Sequence, residues 1–240
     1  MRQMVTALIF AGGTGRRMNT NAKPKQFLEL YGKPIIIYTL EHFESHPDVD
    51  NIVVVCIEGW INELKHQLRL FGLEKISQIV PGGNLGQDSI YKGLHALSAV
   101  CSENDIVLIH DGVRPLINAE LISANIAKAR EFGTSITVEA ATESVVRLGG
   151  GQISDVPPRA EMYMAKAPQT FRYGLIWNLY QKAHSEGIPT IDSAHLCSIY
   201  GVEMYSVEST PNNIKITEPT DFYIFRALHE AMENQQIIGL

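Results

Sequence analysis

Five short apolar runs, rich in β-branched residues, punctuate the first part of the chain: Val5 to Ala11, Ile52 to Ile57, Ile76 to Val80, Ile106 to His110 and Ser135 to Ala140. Runs of this length, continuous rather than alternating, are the pattern of strands buried on both faces. Between them the apolar spacing changes to that of helices, with Trp60, Leu64 and Leu68 on one face, then Ile90, Leu94 and Leu97, then Leu121, Ile122, Ile126 and Ala129. Strand and helix in alternation predict an α/β fold, a Rossmann-like, mostly parallel sheet flanked by helices and joined by right-handed crossovers. In such open sheets ligands bind beyond the carboxyl ends of the strands, so the loops that follow the strands are where chemistry is expected.

The alternation breaks after Ala140. Val145 to Leu148 and Gln152 to Val156 flank Gly149, Gly150 and Gly151, which reads as a hairpin, and Pro157, Pro158 and Pro168 punctuate an irregular stretch behind it. The reading is a projecting β-arm, inserted at about residues 141–170 of a single domain covering 1–240; an extra edge hairpin lying on the same domain fits the pattern equally well. Beyond it the sequence predicts a helix from about Gly174 to Ser185, a shorter one after Asp192 ended by Gly201, strands near Val202 to Val207 and Asn213 to Thr217, and a terminal helix. Phe222, Phe225 and Leu228 on that last helix read as core or dimer contacts.

Composition excludes several classes. With 240 residues, 45% of them hydrophobic, the chain needs neither disulfides nor a structural metal to hold a core. Asp and Glu number 26 against 20 Lys and Arg, without long runs of either sign, which disfavours a nucleic-acid partner. Cys56, Cys101 and Cys197 are widely spaced and offer no C-x-x-C pair, so they read as reduced thiols. The run from Val5 lacks the features of a signal peptide, and no stretch reaches the roughly 18 apolar residues of a membrane span. A soluble cytoplasmic protein, without membrane association, is expected.

The first strand run opens directly into Ala11-Gly12-Gly13-Thr14-Gly15-Arg16-Arg17-Met18, followed by Lys23-Pro24-Lys25-Gln26-Phe27. Glycines let backbone N–H groups converge on an anion, and the clustered cations suit polyphosphate. The third glycine of a dinucleotide fingerprint is absent, and the only Gly-Lys pair, Gly32-Lys33, precedes Pro34 rather than the Ser or Thr of a Walker loop. A glycine turn carrying solvated cations is the plainer alternative, but Arg17 and Lys25 around it favour a phosphate-binding loop. A second cluster, His110-Asp111-Gly112-Val113-Arg114-Pro115, stands at a strand's carboxyl end, where a carboxylate suits Mg²⁺ together with substrate phosphates; the plainer alternative is a turn capped by Asp111 and paired to Arg114. Gly82-Gly83-Asn84 with Asp88-Ser89, and Asn212-Asn213-Ile214-Lys215-Ile216-Thr217, complete the set.

Other chemistries find less support. His42 and His46 lie four apart, but Phe43 occupies the place where a metalloprotease helix carries Glu, and a solvated helix end before Pro47 is expected. The remaining helical histidines (His66, His95, His184, His195 and His229) read as surface or satisfied core residues. Ser89 has no G-x-S-x-G elbow.

As an ordered set, A-G-G-x-G-x-R-M, P-K-Q-F, the G-G turn with D-S, H-D-x-x-R-P, Pro168 to Phe171 and N-I-K-I-T resemble the cytidylyltransferases that join CTP to polyol phosphates, the 2-C-methyl-D-erythritol 4-phosphate and D-ribitol-5-phosphate enzymes. The resemblance spans nearly the whole chain. It implies CMP transfer from CTP with release of pyrophosphate, Mg²⁺ as cofactor, and a homodimer formed through the arm. It assigns Ala11, Gly12, Gly13, Thr14 and Gly15 to the triphosphate loop. Arg17, Lys25 and Lys215 become the catalytic cations, and Gly82, Gly83, Asn84 and Ser89 surround the cytosine. Asp111 falls at the metal and ribose side, with Gly112 approaching the nucleotide. Arg114, Ser144, Arg159, Asp192 and Lys215 fall on the acceptor, Arg159 coming from the partner's arm.

Ala167 and Ile191 stand where the erythritol-phosphate enzymes carry threonines, while Ser144 is a conservative change. Lost hydroxyls weigh heavily in a site that reads substrate hydroxyls. The implied acceptor is therefore D-ribitol 5-phosphate, giving CDP-ribitol for a cell-wall or capsule polymer, with 2-C-methyl-D-erythritol 4-phosphate of isoprenoid synthesis as the alternative. A transferase using another nucleotide, and a binding module without turnover, are the further alternatives; the second need not retain Arg17, Lys25, Asp111, Arg159 and Lys215 together.

Overall fold

The computed structural model describes residues 2–13, 23–83, 85–210 and 212–238. The chain runs β1 (Val5–Ala11), β2 (Glu29–Leu30), β3 (Lys33–Pro34), α1 (Ile35–Glu44), β4 (Asn51–Cys56), α2 (Ile61–Leu70), β5 (Ile76–Pro81), α3 (Gly86–Leu97), β6 (Ile106–Asp111), α4 (Ala119–Phe132) and β7 (Thr134–Ala140). It continues through β8 (Arg147–Gly149), β9 (Gln152–Asp155), β10 (Tyr163–Arg172), α5 (Tyr173–Glu186), α6 (Ser193–Ile199), β11 (Ser206–Glu208) and α7 (Pro219–Ile238). A seven-stranded sheet in the order β11-β7-β10-β6-β1-β4-β5 forms the frame. β1 pairs in parallel with β4 and β6, β4 with β5, and β7 with β11.

Alternate residues of the central strands feed two layers, as strand geometry requires. Ala7, Ile9, Val54 and Leu108 meet α1, α2 and α4 through Leu40, Phe43, Leu64 and Ile122 on one face. Leu8, Val53, Val107 and Ile109 meet α3, α5 and α6 through Leu94, Ile176, Tyr180 and Leu196 on the other. A third cluster, in which Phe225 of α7 packs with Ile35, Val113 and Ile216, ties the C-terminal helix to the loop after β6. Phe225 is therefore a core residue of this chain.

Three expectations need correction. The stretch read as irregular contains β10, which runs antiparallel between β6 and β7 (Gln169 opposite Ile109, Thr170 opposite Ser135) and makes the sheet mixed. Asn213–Thr217 is no strand: Ile216 N–H donates to Val113 O at 2.9 Å and its side chain is buried, but the segment joins no sheet. His42 and His46 are not a solvated helix end. His46 is 2% exposed, its Nδ1 accepting from Asp48 N–H at 3.1 Å and its Nε2 lying 2.9 Å from Ser123 Oγ, while His42 Nε2 donates to Pro115 O at 2.8 Å.

The strand expected near Val202 to Val207 shortens to β11. β8 and β9 form a two-stranded sheet of their own, every residue of it exposed, on an excursion that leaves the main sheet after Ala140 and rejoins it at Tyr163.

Candidate functional site

Two cavities open beside the carboxyl ends of β1 and β6. One, of about 260 Å³, is lined by Ala11, Gly12, Gly13, Lys25, Gln26, Gly83, Ser89 and Thr217, among others. The second, of about 300 Å³, is lined by Arg114, Ala165, Lys166, Ala167, Gln169, Ile191, Asp192 and Ser193 with neighbouring residues. Phe10, Gly86, Asp111 and Lys215 belong to both and mark the junction.

The first cavity is built from close backbone contact. A Cβ on Gly12 would stand 2.7 Å from Ser89 Oγ, and one on Gly82 would stand 3.1 Å from Gly12 Cα, so the ends of β1 and β5 meet only as glycines. Ser89 Oγ accepts from Gly83 N–H at 3.1 Å, fixing the turn ahead of α3. Gln26, almost wholly buried, sends its amide back to Ala11 O at 2.6 Å. It therefore holds the strand end from which the glycine loop departs. Thr14, Gly15, Arg17 and Asn84 lie outside the described residues.

At the junction the Asp111 carboxylate is nearly enclosed. Arg114 Nε donates to Oδ2 at 2.8 Å and Lys215 Nζ lies 2.6 Å from Oδ1. Burial alone would raise this carboxyl; Lys215 first, then Arg114, outweigh it and hold it well below the usual carboxylate range. The pairing with Arg114 is the plain structural arrangement anticipated for the turn, and Lys215 joins it from the far end of the chain. Arg114 also donates to Asn213 O at 3.0 Å, and Asn213 Nδ2 donates to Ala167 O at 2.7 Å, linking this turn to β10.

His110, fully buried, is pushed down to about 3 by that burial and is neutral. Its Nε2 donates to Arg114 O at 3.2 Å and closes the turn behind the arginine. Gly112 lines neither cavity. Its missing Cβ is required by Ala11, whose own Cβ would lie 3.0 Å away.

Asp192 lines the second cavity and also caps α6: Oδ1 accepts from His195 N–H at 2.8 Å, and Oδ2 from Gln169 Nε2 at 3.0 Å. Arg159 and Ser144 sit on the excursion between β7 and β10, exposed, and line neither cavity of their own chain. Gln26, Gln169, Lys166 and Thr217 were not singled out from the sequence. Gln26, Gln169 and Thr217 each carry a signal in their places inside P-K-Q-F, Pro168 to Phe171 and N-I-K-I-T, whereas Lys166 gains meaning only from strand pairing.

Among the described residues no three His, Cys, Asp or Glu side chains cluster as a metal site. One carboxylate, Asp111, faces both cavities, and each of its oxygens keeps a second lone pair beyond the cation it already binds. That donor set fits a hard cation that brings most of its ligands with it as phosphate and water, not a protein-made cage. No described helix is long and apolar enough to cross a membrane.

The family profile described as IspD: 2-C-methyl-D-erythritol 4-phosphate cytidylyltransferase matches residues 5–230. A ribitol-5-phosphate cytidylyltransferase of Streptococcus agalactiae serotype Ia is 46% identical over 239 residues, covering 99% of this chain and 100% of that protein. One from Vibrio parahaemolyticus is 45% identical, covering 98% and 100% respectively. Among solved structures, 4-diphosphocytidyl-2C-methyl-D-erythritol synthase from Anaerococcus prevotii superposes with a TM-score of 0.84 at 26% identity, over 95% of this chain and 96% of that one.

Proposed function

Because the chain belongs to the IspD family of cytidylyltransferases, we propose that it transfers the cytidylyl group of CTP to D-ribitol 5-phosphate, forming CDP-ribitol and releasing pyrophosphate. The observation that carries the acceptor assignment is the near-full-length likeness to ribitol-5-phosphate cytidylyltransferases at 46% and 45% identity. Ala167 and Ile191, both in the second cavity, supply no hydroxyls there, which agrees with an acceptor other than the erythritol phosphate.

CTP occupies the first cavity, its triphosphate against Gly12, Gly13 and Lys25 with Arg17 from the glycine loop, and its cytosine toward Gly83 and Ser89 with Asn84. The acceptor occupies the second, placing its phosphate at the junction. A phosphate oxygen attacks the α-phosphorus in line, the bond from that phosphorus to the β-bridging oxygen breaks, and pyrophosphate carries away the electron pair. The attacking group has a second pKa of about 6 and is already an anion near neutrality, so no general base is required. The barrier is charge repulsion, which Lys25, Arg17 and Lys215 relieve by position and charge. Asp111 fixes Lys215 at the meeting point of the two substrates. Asp111 would hold Mg²⁺ together with phosphate oxygens of the nucleotide, and the bound ion would supply further neutralisation of phosphate charge.

The excursion after β7 is the dimerisation arm, and Arg159 reaches the partner's acceptor cavity. Support comes from its apolar surface: Leu148, 67% exposed, stands opposite Ile153, 62% exposed, with Val156 57% exposed on the same excursion, and exposed apolar groups clustered in this way suit a protein contact. A reaction that consumes CTP supports a cytoplasmic location.

The test is pyrophosphate release with CTP and Mg²⁺, offering D-ribitol 5-phosphate and 2-C-methyl-D-erythritol 4-phosphate in parallel. Turnover of the ribitol phosphate is expected. Turnover of the erythritol phosphate alone would reverse the acceptor assignment and leave the transferase class standing.

A further inference from the structure

The four residues shared by the two cavities locate the tail of the acceptor. Its phosphate must meet the α-phosphorus at the junction of Asp111 and Lys215, so its carbon chain extends among the residues that line the second cavity alone. Lys166 is one of these. A regular strand would turn Lys166 away from Ala165 and Ala167. The register of β10 against β7 shifts between Ala165 and Gln169, and all four of Ala165, Lys166, Ala167 and Gln169 border the same cavity. A bulge beside a site re-aims a side chain in just this way.

The ammonium is held from behind. Lys166 Nζ lies 2.5 Å from Glu139 Oε2 on the adjacent strand, and the lysine side chain is only 16% exposed. That pair uses one of three N–H groups and leaves two for a ligand. Its polar neighbours are already engaged: Gln169 donates to Asp192 and accepts from Ala194 N–H at 2.9 Å, and Asp192 caps α6. Ala165, Ala167 and Ile191 bring no hydrogen-bonding side chain. Lys166 thus brings donors to the part of the cavity where a polyol tail presents hydroxyl oxygens.

We propose that Lys166, positioned by Glu139, determines acceptor specificity by donating hydrogen bonds to the hydroxyl groups of the acceptor's polyol chain. The inference rests on the cytidylyltransferase reading with a polyol phosphate as acceptor. Lys166 acts on the tail, whereas Lys215 acts on the phosphates at the junction.

The experiment uses the full chain with CTP, Mg²⁺ and D-ribitol 5-phosphate, or whichever polyol phosphate the wild type turns over. Lys166→Met keeps the aliphatic stem and removes the charge. The acceptor KM should rise about 10- to 100-fold, the size expected when a site loses a hydroxyl partner, with the CTP KM within about twofold of wild type. Lys166→Arg should recover part of the loss. If the single variant is unstable, the pair Glu139→Gln with Lys166→Met removes the orphaned carboxylate and should show the same split.

An unmoved acceptor KM in a folded variant, or a parallel rise in both KM values, overturns the inference while the wild-type turnover keeps the proposed reaction. A wild type that turns over no polyol phosphate overturns both.

Discussion

Lys215 rests 2.6 Å from Asp111 Oδ1, although 103 residues of chain separate them and Asp111 is also held by Arg114 three residues on. The carboxylate sits between Lys215, which faces both cavities, and Arg114, which lines the second. Replacing it with the isosteric amide in Asp111→Asn removes the charge that holds Lys215 in place. We expect a loss of about 100-fold in kcat, as for other removed transition-state partners, with smaller changes in either KM. Steady-state kinetics on the purified variant checks this, and a kcat within a few-fold of wild type would detach Asp111 from the chemistry.

Gln26 reaches a different conclusion by a different route, since it touches no substrate in the proposed arrangement. Its amide is the partner of Ala11 O. In Gln26→Leu that carbonyl loses its donor in a buried setting, a cost of about 1–3 kcal/mol. The strand end that launches the glycine loop should loosen, raising the CTP KM about 10-fold while the acceptor KM stays near wild type. Kinetics with each substrate varied in turn separates the two, and equal changes would remove Gln26 from the nucleotide side.

The arm lends itself to complementation. If Arg159 serves the partner's site, a Lys25→Ala chain and an Arg159→Ala chain, each nearly inactive alone, rebuild one intact site when paired. Random reassortment of a two-fold dimer gives half heterodimers with one good site in two, or about a quarter of wild-type activity. Mixing after mild dissociation and assaying pyrophosphate reads this directly. No recovery, in a mixture shown to contain heterodimers, would place Arg159 within its own chain or outside the reaction.

Asp221 governs acid stability at the start of α7. Its Oδ2 accepts from Thr217 N–H at 2.8 Å, Thr217 Oγ1 at 2.9 Å and Glu218 N–H at 2.9 Å. Burial pushes this carboxyl up, but the hydrogen bonds prevail and lower it. A carboxyl depressed on folding contributes stability that is present above its unfolded value of about 3.9 and is lost as pH falls below it. Asp221→Ala should cost about 1 kcal/mol at neutral pH, and the difference from wild type should shrink as the pH is lowered through 4. Urea melts at pH 7 and pH 3.5 provide the test; a pH-independent difference would mean that packing, not the carboxylate, is responsible.

What the sequence discloses depends on where an element gets its stability. β4 and β6 are legible because strands buried on both faces must be apolar throughout, and Ile52 to Val55 and Ile106 to Ile109 are. β10 is not, because Lys166 and Pro168 interrupt it and a proline has no ladder donor to give; its place comes from pairing with β6 and β7. Asn213 to Thr217 imitates a strand by alternation, yet only Val113, Phe225 and their neighbours decide that Ile216 is buried without a ladder.

The site shows the same division. Asp111 and Lys215 can be named from their motifs, whereas the close approach of Gly112 to Ala11 shows only once β1 and β6 are paired. Lys166 carries no local signal at all, since a lone lysine between alanines is ordinarily a solvated side chain.

The arm leaves and re-enters the sheet at adjacent points, for Ala140 pairs with Tyr163 and Ala141 N–H donates to Met162 O at 2.9 Å. To the core, the whole excursion is therefore the connection of one antiparallel pair, and closing a longer or shorter loop there alters the chain entropy only slowly with length. Evolution can lengthen, shorten or redecorate this appendage, and whatever it contacts, without renegotiating the folding of the sheet that carries the two cavities.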